Sequence, residues 1–194
     1  MVGEAKRTRP APEPLGLVQR FVNTRNLMRG YDLLESPERA SAWLGESGYG
    51  GPPDDIEEAE LARLRELREG LRDILLCHNL GASSGTAETC SSLSDLVGAI
   101  ALGVGFDSSG RPFLTSSSAG IDGMVQDLLI AAVRAGYEGT WPRLKACANE
   151  ECQWIFYDAS KNRSGSWCVM QICGSRAKMR SYRERQSGEP SDAS

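Results

Sequence analysis

Histidine is nearly missing from this chain, and long apolar runs are missing altogether. His78 is the one histidine among 194 residues, which excludes a metal site built from several histidines. No apolar stretch approaches the roughly eighteen residues that a membrane helix requires. The polar, proline-rich start at Met1–Pro14 also lacks the apolar core of a secretion signal. We therefore expect a soluble, cytoplasmic protein.

The chain also lacks a recognisable catalytic pair. A nucleophile needs a neighbouring base, but His78 lies in a leucine-rich segment with no cysteine-histidine arrangement around it. Four of the six cysteines are candidates for one metal site, and four cysteine ligands would leave no open coordination position for a substrate. The sequence therefore favours a protein that is not an enzyme.

Composition indicates one domain of moderate size with a small appendage. The hydrophobic content is 40%, enough for a single core. Residues 1–14 and 188–194 are dominated by proline, serine and charge, and we predict that both are disordered tails. The main domain is predicted to span residues 15–140, and a small module is predicted to span residues 141–187. The tight connection at Gly136–Trp141 predicts that the two pack together.

Four of the six cysteines form two equally spaced pairs near the end of the chain. Cys147 and Cys152 make the first pair, and Cys168 and Cys173 make the second. Thiolates on two short loops can complete the tetrahedron that zinc prefers. Two disulfides are the alternative, but they would need an oxidising compartment. The spacing predicts one structural Zn²⁺ per chain, held by all four cysteines.

Aromatic residues lie between and beside these cysteines. A small metal module needs bulky side chains next to the metal, because it has little other core. We therefore expect packing roles, with stacking on nucleic-acid bases as the alternative. The residues concerned are Trp154, Phe156, Tyr157 and Trp167.

Charge is unevenly divided along the chain. Residues 143–186 contain nine basic side chains and four acidic ones, whereas residues 1–142 contain thirteen basic and twenty acidic ones. The overall net charge of -4 therefore conceals a basic module on an acidic domain. Such a module suits a polyanionic partner.

The basic residues concentrate in a predicted helix over Ser175–Gln186. We expect Met179, Tyr182 and Gln186 to rest on the zinc core, with Arg176, Arg180 and Arg183 on an adjoining face. Arginine side chains on such a helix can bind guanine edges or backbone phosphates; a solvated basic helix is the alternative. Predicted DNA contacts are Arg176, Lys178, Arg180, Arg183 and Arg185, with Lys161 and Arg163 in the loop between the cysteine pairs.

The residues around the thiols also resemble a known family. The segments CANEECQWIFYDASKNRSGSW and WCVMQICGSRAKMRSYRER are similar to the CGNR zinc finger, in which a second cysteine pair leads to a basic helix. The chain has Ser175 where the family name predicts asparagine. It also has Ser164, Gly165 and Ser166 where more arginine is typical. The resemblance implies a zinc-dependent nucleic-acid-binding module.

A second resemblance covers Phe21–Gly48, FVNTRNLMRGYDLLESPERASAWLGESG. This segment is similar to the ABATE domain, which is associated with the CGNR finger and with stress-induced transcription regulation in bacteria. The resemblance implies a regulatory amino-terminal domain. Asn23, Thr24 and Arg25 are candidates for binding a small effector, and turn capping is the alternative role for them.

Local patterns predict a mainly α fold with a small β-hairpin (α+β). Leu15–Val22 has helical spacing, although a short strand is an alternative. Further helices are predicted from Pro37 to about Leu44, with Ser36 as N-cap, over Asp54–Leu80, and over Ile121–Gly136. Apolar residues at three- and four-residue steps mark the inward face of each long helix: Leu61, Leu64, Leu67, Leu71, Ile74 and Leu75 in the first, and Met124, Leu128, Leu129, Ala132 and Val133 in the second. His78 lies on the inward side, and we expect it to be partly buried and hydrogen-bonded. We predict a loop at Ser83–Ser92, and two strands within Leu96–Thr115 around a turn at Asp107–Gly110.

These observations converge on a hypothesis. The chain is interpreted as a DNA-binding transcription regulator: a helical amino-terminal domain for ligand sensing or dimerisation, followed by a four-cysteine zinc module ending in a basic helix. A homodimer or a companion transcription factor would strengthen the modest affinity of one basic module. The alternatives are a zinc-stabilised adaptor that binds an acidic protein, and an RNA-binding protein.

Overall fold

The computed structural model describes residues 8–50, 56–81 and 85–187, except for the side chains of residue 181 and residues 184–187. The fold is mainly helical, and the described residues contain three two-stranded antiparallel sheets. The helices are α1 Leu15–Val22, α2 Pro37–Glu46, α3 Glu58–Leu80, α4 Thr86–Val97, α5 Gly120–Tyr137 and α6 Ser175–Ser187. The strands are β1 Arg25–Asn26, β2 Tyr31–Asp32, β3 Gly103–Phe106, β4 Pro112–Thr115, β5 Leu144–Ala146 and β6 Ile155–Tyr157.

Helix α3 is the central element. Its N-terminus is fixed by reciprocal bonds between Glu57 and Glu60: each side chain accepts a hydrogen bond from the other residue's backbone N–H. The helix therefore begins at Glu58, later than the predicted Asp54, a residue that lies outside the described ranges. Gly81 ends the helix at a φ of 88°, a conformation that favours glycine. The inward leucines are buried as predicted: Leu61, Leu64, Leu67, Leu71 and Leu75.

Helices α1, α2 and α5 pack around α3. The spacing of Leu15, Val18 and Phe21 resolves as a helix, and all three side chains are buried. Helix α2 starts as predicted, because Ser36 Oγ accepts a hydrogen bond from Arg39 N at 3.4 Å. Helix α5 buries Met124 and Leu128.

Two local predictions for this part of the chain are corrected. Val133 of α5 was expected to face inward, but it is 41% exposed because Ala131 and Ala135 occupy the core-facing positions. The proposed disordered tail is also too long at its inner end. Ala11 is buried, and its backbone N–H donates to Gln19 Oε1 at 2.7 Å. Met1–Arg7, the rest of that tail, lie outside the described residues, as do residues 188–194.

The predicted loop at Ser83–Ser92 is wrong over most of its length. Helix α4 begins at Thr86 and packs along α3. Gly70 permits this approach, because a Cβ there would lie 2.6 Å from Leu93 Cδ2. The following hairpin, β3–β4, is confirmed, with its turn between Asp107 and Gly110.

The hairpin of the cysteine-rich module belongs to the same core as the helices. Strands β5 and β6 pair antiparallel, with Leu144 opposite Tyr157 and Ala146 opposite Ile155. Leu144, Ala146 and Ile155 are fully buried in one cluster with α1, α3 and α5. The module therefore packs into the core of the helical domain, as its tight connection to that domain predicts.

Two buried arginines of α3 lie next to the contact between the helices and the cysteine-rich module. Arg72 is 2% exposed; it donates to Gln153 O of the cysteine-rich module at 2.9 Å and to Val22 O at the end of α1 at 2.8 Å. Arg68 is 1% exposed, and its guanidinium donates hydrogen bonds to both carboxylate oxygens of Asp32. Glu69 accepts from the Nε atoms of both arginines. Sequence periodicity gives no signal for these contacts, since arginine is usually exposed.

No helix in the described ranges is long and apolar enough to cross a membrane.

Candidate metal centre

The four paired cysteines converge on one point. Cys147 follows β5, Cys152 lies in the turn before β6, and Cys173 lies in the π-helical turn Met170–Gly174 that leads into α6. Together with Cys168, their sulfur atoms all lie within 4.8 Å of one another. Elements distant in sequence are thus folded to bring both pairs together, as predicted.

The spacing of the sulfurs fits a tetrahedral metal. Zn–S bonds of about 2.3 Å place the sulfurs of a regular tetrahedron about 3.8 Å apart. Cys152 Sγ lies 3.6 Å from Cys168 Sγ, and Cys168 Sγ lies 3.7 Å from Cys173 Sγ. A disulfide would need about 2.05 Å, and all four cysteines are free thiols. The geometry therefore supports a metal centre over the disulfide alternative.

The electrostatics of the cluster also call for a cation. Hydrogen bonds from the Cys152 and Cys168 thiols, helped by the backbone amides of Cys168 and Asn149, lower the pKa of the Cys147 thiol. A Cys147 thiolate in turn raises the pKa of Cys152 and of Cys168. Ionisation of Cys147 therefore opposes ionisation of Cys152 and Cys168, and a bound divalent cation would allow these neighbouring thiols to ionise as well.

Backbone and amide groups hold the ligand loops in place. Cys147 N donates to Trp154 O at 3.0 Å, and Cys152 N donates to Asn149 O at 2.8 Å. The buried Asn149 side chain also approaches the cluster, with Nδ2 3.9 Å from Cys173 Sγ. Such contacts orient thiolate ligands and disperse their charge.

An apolar shell surrounds the sulfurs. Trp154, Trp167 and Ile172 pack against the cysteines, and Phe156 is buried nearby in β6. These contacts support the packing role predicted for the aromatic residues. Gly174 lies close to this shell: a Cβ there would lie 2.5 Å from Met170 Sδ and 3.2 Å from Trp167 Cδ1. Met28, from the turn between β1 and β2, completes the shell, a contribution that the cysteine spacing could not reveal.

A buried ion pair supports the loop between the cysteine pairs. Lys145 Nζ donates to Asp158 Oδ2 at 2.9 Å, and both residues are 4% exposed. Burial raises the pKa of Asp158, but hydrogen bonds from Lys145, Ser160 and Gly165 together outweigh burial and lower the pKa to about 2. Asp158 also accepts from Gly165 N at 2.8 Å. The loop that presents the exposed Lys161 and Arg163 is thereby anchored at both ends.

Helix α6 leaves the cysteine cluster and projects into solvent. The prediction that Met179 and Tyr182 rest on the metal core is wrong, because each is 57% exposed. Only the start of the helix touches the cluster, through the turn that carries Cys173. The side chain of Gln186, the third residue of that predicted stripe, and that of Arg185 lie outside the described part of the chain.

The basic residues of α6 fall on two faces. Arg176, Arg180 and Arg183 are exposed and lie within an arc of about 60° at 100° per residue. Lys178 is exposed as well, but it lies about 160° from Arg176 on the same reckoning. One flat surface of a ligand could meet the three arginines together, and Lys178 would face away from it.

Asn23, Thr24 and Arg25 serve the internal structure. Asn23 Nδ2 donates to Ile155 O at 3.0 Å, and its Oδ1 accepts from Ile155 N at 2.8 Å, so this side chain pairs with strand β6. Thr24 is buried and its hydroxyl donates to Phe21 O. Arg25 forms an ion pair with Glu69 at 3.3 Å. These contacts favour the structural role for the three residues over the effector site.

His78 is held between the helices and the cysteine-rich module. Its Nδ1 lies 2.8 Å from Leu144 O, and its ring makes an edge contact with Trp141. Burial lowers the pKa of His78. The histidine is thus partly buried and hydrogen-bonded, as expected, and it joins α3 to β5.

The fold and this site define a helical domain with an integral four-cysteine metal finger. Residues 143–186 match the CGNR zinc finger. Residues 15–117 match a family described as "ABATE: Putative stress-induced transcription regulator". That match covers more than half of the chain, so the chain belongs to the ABATE family. Both resemblances seen in the sequence are thereby confirmed. No curated protein matches the chain.

We expect protein purified under reducing conditions to contain one zinc ion per chain by elemental analysis. Replacement of zinc with Co²⁺ should give the absorption bands of tetrahedral thiolate coordination, because all four sulfurs are within reach of one ion. Cys173→Ser should weaken metal retention, whereas Cys90→Ser, at an exposed cysteine outside the cluster, should leave it unchanged. Equal metal loss in both variants would contradict the assignment.

Proposed function

We propose that this protein is a transcription regulator that binds duplex DNA through the arginine face of α6. The observation that carries the proposal is the placement of Arg176, Arg180 and Arg183 on an exposed helix anchored at one end by the cysteine cluster. A helix of this kind can enter a major groove or lie along phosphates. The ABATE family description and the CGNR zinc finger match support a regulatory role.

The metal's role in this proposal is structural. Four thiolates would fill the coordination sphere of zinc and leave no position for a substrate, which supports a binding function without catalysis. Zinc would hold the turn at Cys173, and through it the first residues of α6. Metal and nucleic-acid binding are therefore coupled in the proposal.

Two substitutions within α6 test whether its arginine face binds DNA. Arg180→Ala and Lys178→Ala each remove one exposed positive charge from the same helix, but from opposite faces. Loss of one phosphate contact should weaken binding to a fluorescent mixed-sequence duplex about fivefold at 0.15 M salt, so we expect that loss for Arg180→Ala. Lys178→Ala should bind like the unaltered protein.

Two outcomes would contradict the proposal. Equal effects of the two substitutions would show that overall charge matters and the arginine face does not. No salt-dependent binding to duplex DNA by the zinc-loaded protein would remove the DNA-binding role and favour an acidic protein partner. Tighter binding to single-stranded or A-form RNA would favour the RNA-binding alternative.

We also propose that the amino-terminal domain forms a homodimer. A groove of about 820 Å³ lies between the β3–β4 hairpin and α5. Large apolar side chains on its walls are exposed: Val104 64%, Phe113 49%, Val133 41% and Tyr137 91%. Phe106, two residues after Val104 in β3 and outside the groove lining, is 70% exposed. At 150–250 Å² for each of the larger side chains, this is about 600 Å² of exposed apolar surface.

A second copy of the chain suits this groove. Two such surfaces would bury about 1,200 Å², the lower end of stable interfaces. The charges on the rim are mixed, with Arg111 and Arg134 beside Asp107 and Glu138. A two-fold contact between identical surfaces can therefore pair opposite charges. The resulting dimer would carry two metal fingers to one DNA molecule.

Sedimentation velocity over a concentration series tests the dimer. We expect a monomer–dimer equilibrium on the order of micromolar, given the modest area. Val104→Lys with Tyr137→Lys should leave only monomer, because like charges would be buried against one another without partners. Leu80→Lys, at a leucine 61% exposed elsewhere, should leave the equilibrium unchanged. A monomer at every concentration of the unaltered protein would contradict the proposal.

A further inference from the structure

The amino-terminal domain reaches the same side of the metal finger as the start of α6. A narrow crevice beside the cysteine cluster is lined on one side by Thr8 and Met28, and on the other by Val169 and Ile172 of the finger. Met28 also contacts α6 directly, because its sulfur lies 3.6 Å from an Nη atom of Arg176. Two segments of the amino-terminal domain therefore border the first turn of the proposed DNA-binding helix.

Each of these segments carries an exposed arginine next to the residue in the crevice. Arg9 follows Thr8, and Arg29 follows Met28. The two arginines come from the start of the chain and from the β1–β2 turn, more than a hundred residues before the finger. The fold thus brings Arg9, Arg29 and Arg176 to one region around the crevice.

The backbone at both arginines is fixed. Gln19 is buried; its Nε2 donates to Arg9 O at 3.4 Å and to Ile155 O of strand β6 at 3.1 Å. Arg9 is thereby tied to the finger's own hairpin. In the β1–β2 turn, buried Asn26 accepts from Arg29 N at 3.0 Å through its side chain and from Gly30 N at 2.9 Å through its backbone.

We propose that the DNA-binding surface is composite: Arg9 and Arg29 of the amino-terminal domain contact backbone phosphates beside Arg176 of the finger. This inference rests on the proposed DNA binding by α6 and extends it to residues outside the finger. Contacts to phosphates fix the position and orientation of a protein on the duplex. The amino-terminal domain would then set the angle at which α6 meets the DNA, in addition to carrying the finger.

The test compares salt dependence in full-length, zinc-loaded protein. Each phosphate contact contributes about 0.9 to the slope of log K against log salt concentration. We expect Arg9→Ala with Arg29→Ala to reduce the slope, measured by fluorescence anisotropy on a mixed-sequence duplex, by about 1.8. Arg39→Ala with Arg63→Ala removes the same charge from exposed arginines of α2 and of the first half of α3. This control should leave the slope unchanged.

The outcomes separate this inference from the proposal on α6. A slope unchanged in the Arg9/Arg29 variant, while Arg180→Ala still weakens binding, would overturn the composite surface alone. Equal slope changes in the Arg9/Arg29 and Arg39/Arg63 variants would also overturn it, because the effect would then be one of net charge. Absence of duplex binding by the unaltered protein would remove the DNA-binding proposal itself. Unchanged zinc content and circular dichroism would confirm that both variants are folded.

Discussion

The structure depends on the burial of the β5–β6 hairpin against α3 and α1. This hairpin lies next to two of the four thiols, and its inward residues share a core with the helices. Arg72 also links the two parts, because its guanidinium donates hydrogen bonds to backbone oxygens of both the finger and α1. Arg72 is buried but its ion-pair partner Glu69 is 35% exposed, so loss of either should cost less than the roughly 3–5 kcal/mol of a fully buried pair. The pair is expected to stabilise both parts of the protein together.

The packing of the β5–β6 hairpin against α3 and α1 gives the metal finger a support that does not come from the metal. A small zinc module usually draws its stability from the metal, but here the first cysteine pair is attached to a hairpin held by a much larger core. Only the second pair, on the loop and π-helical turn before α6, lies outside that hairpin. Metal binding is therefore expected to matter most for the position of α6, and the helical domain supports the other half of the site.

Patterns local in sequence identified the cysteine cluster and most helices, whereas individual contacts between distant segments could not be predicted. The cysteine spacing singled out the four cysteines whose sulfurs converge, and leucine periodicity identified α3. The role of Gly70 depends on Leu93 lying across from it, and nothing in the segment Ser83–Ser92 signals that partner. Met28 and Arg72 were missed for a similar reason: a methionine in a turn and an arginine on a helix have no pattern that marks them as contacts of a metal finger.

Hydrogen exchange measured by mass spectrometry, with zinc bound and after chelation, tests the shared core most directly. Chelation should increase hydrogen exchange most in α6 and in the cysteine loops. If the hairpin and the helices form one core, exchange should also increase, to a lesser degree, at the end of α1 and in the second half of α3. Asn23, Arg72 and His78 bind the module there. The β3–β4 hairpin should be unaffected. Increased exchange confined to residues 147–187, with α1 and α3 unchanged, would contradict a structural coupling between the metal centre and the amino-terminal domain.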